Sequence, residues 1–277
     1  MIKLLKNIKK NITPKDNTHI SKVKKQVKDV LIRQGFVFEE DFLLTPEGIK
    51  FQAEKSIFEV HEVFVQNDYN FFIKEDKNLI VFDVGMNMGA STLYFAKMQN
   101  VKKVYAFEPF LPTCEDGIDN INLNPDLTRK IDVFKFGLGV EDKMIEMPYT
   151  REASGCMSTT HDVFLLNKDL QSFEIRDIEK LEIRNTSKVL DKLIEQDCIN
   201  ILKIDTEGSE YEILEDLDRN GLLKSFQLIM LEYHYKSSME LETRLKNNGF
   251  VVFYRTNPIK NGETVGMMVA VALTEGK

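Results

Sequence analysis

The 277-residue sequence holds no apolar run near the roughly eighteen residues a membrane-crossing helix requires, so no such helix is expected. Cysteine is scarce. Cys114, Cys156 and Cys198 are too widely spaced for a disulfide framework or a zinc ligand set. They read as buried or half-buried thiols in a reducing compartment, and a cytoplasmic location is expected. Excess basic charge is also missing: 37 Lys and Arg against 44 Asp and Glu give a net charge of −7. That balance argues against a duplex nucleic-acid partner. Residues 1–10 interleave lysine with Ile2, Leu4, Leu5 and Ile8 and lack the separate apolar core of a secretory signal. They read as a packed or loose terminal segment, with weak contact to an anionic membrane surface as the alternative.

What is present is a composition of 43% hydrophobic and 29% charged residues, ordinary for a globular chain with a full core. Val23, Val27, Val30 and Leu31 fall at helical spacing, which predicts a helix over 21–34 stopped by Gly35. Short strands are expected over 36–42 and 48–51 around Pro46-Glu47-Gly48, then a helix over 57–65. Residues 1–56 read as an extension or cap, and 57–277 as the main domain.

From Leu79 the pattern alternates regularly. Strands are expected over 79–84, 103–107, 131–136, 200–204 and 226–232, with helices over 90–98, 114–122, 187–196 and 210–219 between them. An irregular insertion interrupts the alternation at about 141–186. Repeated βαβ units make a parallel, doubly wound sheet. After a helix over 239–247, strands over 249–254 and 264–273 follow with only a turn between them, so they pair as a hairpin. The expected fold is therefore α/β and Rossmann-like: a seven-stranded, mostly parallel sheet ending in an antiparallel hairpin, the layout of class I methyltransferases.

Residues 81–89 read Val-Phe-Asp-Val-Gly-Met-Asn-Met-Gly, and Glu108 follows Gly89 by 19 positions within Phe107-Glu108-Pro109. A strand entering a glycine turn, followed by a strand ending in a carboxylate, is how an α/β sheet holds an adenosine ligand. Gly85 and Gly89 allow a tight turn at a helix start, and Asn87 tolerates the left-handed conformation. Asp83 separates this turn from a dinucleotide fingerprint, because a carboxylate there repels a pyrophosphate and attracts an ammonium group. The ligand expected is S-adenosylmethionine, which carries an amino group and a sulfonium but no phosphate. Glu108 would accept from the ribose hydroxyls, Pro109 would stiffen the strand exit, and the adenine would lie near Phe136, Gly137 and Leu138.

Reacting groups in open sheets gather at the carboxyl ends of strands. Asp205, Glu207 and His234 stand at two such ends, in Asp205-Thr206-Glu207-Gly208 and Glu232-Tyr233-His234. They suit proton abstraction from an acceptor hydroxyl. The same trio is also the candidate set for a divalent cation, although no tightly held metal is expected. The segment 153–160, rich in small polar residues, suits either a loop closing over a substrate or a plain surface loop.

By these residues the chain resembles the FkbM family of methyltransferases. The family's turn, strand-end and carboxylate motifs correspond to Asp83–Gly89, Phe107–Pro109, Ile204–Glu210 and Glu232–His234, with Met86 where alanine is usual. The segment 57–69 is similar to the one preceding the family's first motif. The resemblance spans 57–249 and leaves residues 1–56 outside. It implies S-adenosylmethionine-dependent methylation, usually at a hydroxyl oxygen of a small-molecule or glycan acceptor such as a sugar or secondary metabolite. A nicotinamide oxidoreductase and a non-catalytic adenosyl-binding protein are the rivals. Asp83 and the terminal hairpin disfavour the first. An amino-directed enzyme would carry Asn/Asp-Pro-Pro-aromatic after the fourth strand, where Asp205-Thr206-Glu207-Gly208 stands instead.

Overall fold

The computed structural model describes residues 17–53, 55–71, 77–160, 177–255 and 265–273. Helix α1 (Asn17–Arg33) buries Val23, Val27 and Leu31 along one stripe and ends before Gly35, whose φ is +90°. Strands β1 (Val37–Phe38), β2 (Phe42–Leu44) and β3 (Lys50–Gln52) form a small antiparallel sheet. The single strand expected over 36–42 is instead broken at its centre, where the Glu39 N–H turns back to the Phe42 carbonyl at 2.9 Å. Helix α2 (Ile57–Val60) continues into a π-helical turn over His61–Val65. Leu31, Phe36, Phe51 and Val60 share one apolar cluster with Leu79, Val81 and Leu93. The amino-terminal elements therefore complete the core beneath one face of the main sheet.

That sheet begins with β4 (Leu79–Val84), α3 (Ala90–Lys97), β5 (Val101–Phe107), α4 (Leu111–Asn122), the short α5 (Pro125–Thr128) and β6 (Ile131–Phe134). All six residues of β4 are buried, as expected for a central strand covered on both faces. The chain then leaves the sheet. Strands β7 (Gly137–Gly139), β8 (Lys143–Tyr149) and β9 (Asp177–Asn185) form a separate three-stranded sheet in the order β7-β9-β8. The insertion expected to be irregular thus contains a regular antiparallel pair, masked in the sequence by Pro148 and by charges along both strands. Its centre, 161–176, lies outside the described residues, as do 1–16 and the turn at 257–262.

Helix α6 (Thr186–Leu190) is shorter than its expected span. After it come β10 (Ile199–Ile204), α7 (Glu210–Arg219), β11 (Leu228–Tyr233), α8 (Ser238–Asn247), β12 (Phe250–Tyr254) and β13 (Gly266–Ala272). The main sheet runs β12-β13-β11-β10-β4-β5-β6. Every pairing is parallel except those of β13, which is antiparallel to both β11 and β12. The terminal hairpin is present, and its second strand is the reversed one. Strand order switches direction between β4 and β10, so the loops leaving their carboxyl ends part and open a crevice. No described helix is long and apolar enough to cross a membrane.

Candidate active site

Beneath the crevice lies a buried ion pair. Lys203 and Asp83 are register neighbours on β10 and β4, and their side chains, 2% and 0% exposed, meet at 2.9 Å. The Lys203 ammonium also donates to the Gly85 carbonyl at 2.6 Å and lies over the Tyr69 ring at 5.4 Å from its centre. Burial works to discharge this lysine, but the Asp83 and Asp205 carboxylates overcome it and raise its pKa. Asp83 also accepts from Ser91 Oγ at 2.8 Å and Thr92 Oγ1 at 2.5 Å, both on α3. It therefore stands behind the crevice wall, tying the strand to the following helix.

Above this pair the turn after β4 makes its closest approach to β10. Gly85 has a φ of +84°, and a Cβ on it would lie 1.8 Å from the Asp205 carbonyl oxygen. Only glycine fits there. The Gly85 and Met86 N–H groups both donate to the Phe107 carbonyl, at 3.0 and 2.9 Å, binding the turn to β5. Asn87 is left-handed with φ +51°, and its buried Oδ1 has no hydrogen-bond partner among the described residues. Gly89, with φ +79°, caps α3 and packs against Gly117, away from the crevice.

Glu108 is the carboxylate that faces the cavity. It is 6% exposed, and its two oxygens accept from the Asn87 and Phe110 backbone N–H groups, each at 3.0 Å. Burial pushes its pKa up to about 7 against the lowering effect of those two bonds. A carboxylate offers about four lone-pair directions, so two remain for a ligand. Pro109, Gly137 and Leu138 line the same cavity, together with Asn87, Gly85 and Asp205. Phe136 instead packs on Phe107 and beneath the Arg184 guanidinium, which lies 4.0 Å from its ring centre.

The other end of the cavity is acidic. Asp205 accepts from the Tyr69 hydroxyl at 2.9 Å. Burial and the Asp205 charge raise the Tyr69 pKa well above its ordinary value, so the phenol keeps its proton and stays a donor. Tyr69 is held from the far edge of the sheet: Arg255, just past β12, donates to the carbonyls of Asn67 and Asp68 at 2.7 Å and also to that of Asn70. Glu207, left-handed with φ +54°, lines the cavity and accepts from Tyr235 at 3.3 Å. His234 lies behind it, 4% exposed, with Nδ1 2.9 Å from Glu210 Oε1. Burial works to deprotonate this imidazole, but Glu207, Glu210 and Glu232 outweigh it and raise its pKa well above the ordinary value.

Glu210 is fully buried and binds the loop at two points. Its Oε1 accepts from the Thr206 and Gly208 N–H groups at 3.2 and 3.0 Å as well as meeting His234. These contacts make it the brace of the 205–210 loop. Residues 150–160 close the cavity from above. Ser154, Gly155, Met157 and Thr159 line it, and Thr159 Oγ1 lies 2.6 Å from Ser209 Oγ. Arg151 anchors this segment by two bonds to buried Asp116, at 2.9 and 2.7 Å.

Of the residues expected at the site, Gly85, Asn87, Glu108, Pro109, Gly137, Leu138, Asp205 and Glu207 meet around one cavity. Asp83, Gly89 and His234 stand behind its wall. Lys203 and Tyr69 are not among the residues expected at the site: Lys203 reads as an interruption of an apolar strand, and Tyr69 only closes the segment 57–69. A lysine inside an otherwise buried strand, level with Asp83, was the one available signal.

Comparison with known proteins follows the same lines. The family model described as Methyltransferase FkbM domain matches residues 83–252. A protein named Methyltransferase 1 from Beauveria bassiana is 26% identical over 168 residues, covering 57% of this chain and 65% of its own length. The crystal structure of Methyltransferase FkbM from Methylobacillus flagellatus aligns with a TM-score of 0.48 at 14% identity, over 79% of this chain and 50% of that one. A putative rRNA-methylase from Clostridium thermocellum aligns at 0.45 and 12% identity, over 80% of this chain and 98% of that one. The chain thus spans just under two thirds of its curated relative and half of the Methylobacillus protein.

Proposed function

The chain belongs to the FkbM methyltransferase family, and on that footing we propose that it transfers the methyl group of S-adenosylmethionine to a hydroxyl oxygen. The observation that carries this reading is Glu108, a buried carboxylate with acceptor capacity left over, facing a cavity at the sheet's switch point. Its remaining lone pairs suit the two ribose hydroxyls of the cofactor. The left-handed Asn87 beside it presents an unused buried acceptor to the same space. Gly137 and Leu138 offer a small and an apolar surface for the adenine. Asp83 would act at one remove, holding Lys203 and the turn in place rather than touching the cofactor's ammonium.

At the acidic end, the Asp205 carboxylate would orient the acceptor hydroxyl and take its proton as the oxygen attacks the methyl carbon, the carbon–sulfur bond breaking in line to release the neutral thioether. Tyr69 fixes that carboxylate's direction. His234, whose pKa the surrounding carboxylates raise, is poorly suited to act as the base and lies behind Glu207 at 3.7 Å. Alignment in a closed crevice accounts for much of the acceleration expected of such a site, since effective molarities reach about 10⁵ M or more. A sugar or secondary-metabolite acceptor, and a cytoplasmic setting that keeps the three thiols free, complete the reading.

Calorimetry with S-adenosylhomocysteine and, separately, NADH tests the cofactor assignment. Micromolar binding of the former and none of the latter is expected. NADH binding without S-adenosylhomocysteine binding would overturn it. Incubation with labelled methyl donor and glycan, lipid and metabolite extracts then identifies the acceptor by the label it gains.

A further inference from the structure

We propose that Asp205, Glu232 and His234 form a binding site for a single divalent cation of the Mg²⁺/Mn²⁺ class, beside the cofactor cavity. One donor atom from each of these side chains lies within 4.8 Å of the other two. From the sequence, Glu207 stands with Asp205 and His234 as the candidate cation set, with no tightly held metal expected. In the fold, Glu232 from the end of β11 completes the set, while Glu207 is a neighbour bound to Tyr235.

The second observation is His234 itself. Its side chain is 4% exposed, and Glu210 takes Nδ1 at 2.9 Å. The other ring nitrogen, Nε2, makes no hydrogen bond to a described residue. The carboxylates nearest to it are Glu207 Oε1 at 3.7 Å and Glu232 Oε1 at 3.9 Å, both beyond hydrogen-bond reach. Nε2 is thus turned toward carboxylates without being closed off by a hydrogen bond, which leaves it able to take a further partner. A histidine oriented through one nitrogen by a carboxylate, with the other aimed at further carboxylates, is the usual outer-shell arrangement of a metal ligand. Tyr69 holds the Asp205 carboxylate through Oδ2.

The donor chemistry narrows the ion. Two carboxylates favour a hard cation, and the imidazole favours Mn²⁺ over Mg²⁺ within that class. Three protein donors leave positions for water or an acceptor oxygen, which such a cation acidifies. Binding would release the Nε2 proton to solvent. The site needs no cofactor to fill it, so it stands apart from the methyl-transfer reading except through Asp205, which lines both.

The experiment is a Mn²⁺ titration of the full chain at mildly alkaline pH, followed by the loss of the free-ion paramagnetic resonance signal. Electron spin-echo modulation of the bound ion is recorded on the same sample. One Mn²⁺ per chain with nitrogen coupling from the imidazole is expected, with affinity reduced at least about tenfold in Glu232→Gln. Glu232 is partly exposed, so this variant should fold even where His234→Gln does not. Bound Mn²⁺ without nitrogen coupling, or affinity unchanged in Glu232→Gln, means adventitious binding to surface carboxylates and overturns the proposal, as does no binding at all. S-adenosylhomocysteine affinity measured alongside bears on the cofactor reading alone.

Discussion

Replacing Glu108 by Gln should make the unliganded protein more stable at alkaline pH while weakening its hold on the cofactor. Burial shifts the folded carboxyl from 4.5 to about 7. Well below pH 4.5 the group is protonated whether the chain is folded or not, and the substitution changes little. Between those values the unfolded chain gives up a proton that the fold retains, so the natural protein loses stability as pH rises. Above pH 7 the loss levels off. At about 1.4 kcal/mol per pH unit, the variant's advantage should grow by about 2.5 kcal/mol between pH 5 and pH 8. Turning an amide NH₂ toward the Asn87 or Phe110 N–H adds a penalty that is the same at both pH values and cancels in the difference. Urea unfolding of both proteins at the two pH values measures it. S-adenosylhomocysteine should bind the variant about 10- to 100-fold more weakly, the cost of losing charge-assisted bonds. A stability difference that does not vary with pH would refute the buried-ionisation reasoning, and unchanged affinity would remove Glu108 from the ribose.

Three further outcomes are expected. Gly85→Ala drives a methyl group into the Asp205 carbonyl and should cost more than about 4 kcal/mol, whereas Gly221→Ala, also at positive φ but with open space around it, should cost about 1–2 kcal/mol; equal losses on urea unfolding would mean the contact is not close. Lys203→Met leaves Asp83 buried and unpaired and should cost about 3–5 kcal/mol, most of it recovered by adding Asp83→Asn; failure of the second change to rescue would show that the pair is not the source. Asp205→Asn should leave S-adenosylhomocysteine affinity nearly unchanged but slow methyl transfer by at least about a hundredfold, measured as label incorporated into the identified acceptor; normal turnover would remove it from the chemistry.

Much of the architecture was legible because periodicity and punctuation agree over the central sheet. The central strands β4 and β10 are largely apolar runs ended by Gly85 and Asp205, and α7 matches its expected bounds. Signals failed where side-chain pattern and backbone role part. Pro148 and the charges of 143–149 and 177–185 hide a hairpin exposed on one face. The break at Glu39–Asp41 is a turn made by backbone bonds and carries neither glycine nor proline. At the site, the motif carboxylates were found by type, but their tasks were not: Asp83 faces a helix, Glu108 a cavity, Glu210 a loop.

The succession of strands and helices, the glycines of the turn after the first sheet strand and the pairing of the last two strands were written in the local alternation of residues, because each depends on contacts a few positions apart or on backbone freedom. What folding alone decided is which charges meet. Lys203 reaches Asp83 across 120 positions and Tyr69 reaches Asp205 across 136. Electrostatics in a buried crevice depends on distance in space and on exclusion of water, and a linear sequence records neither.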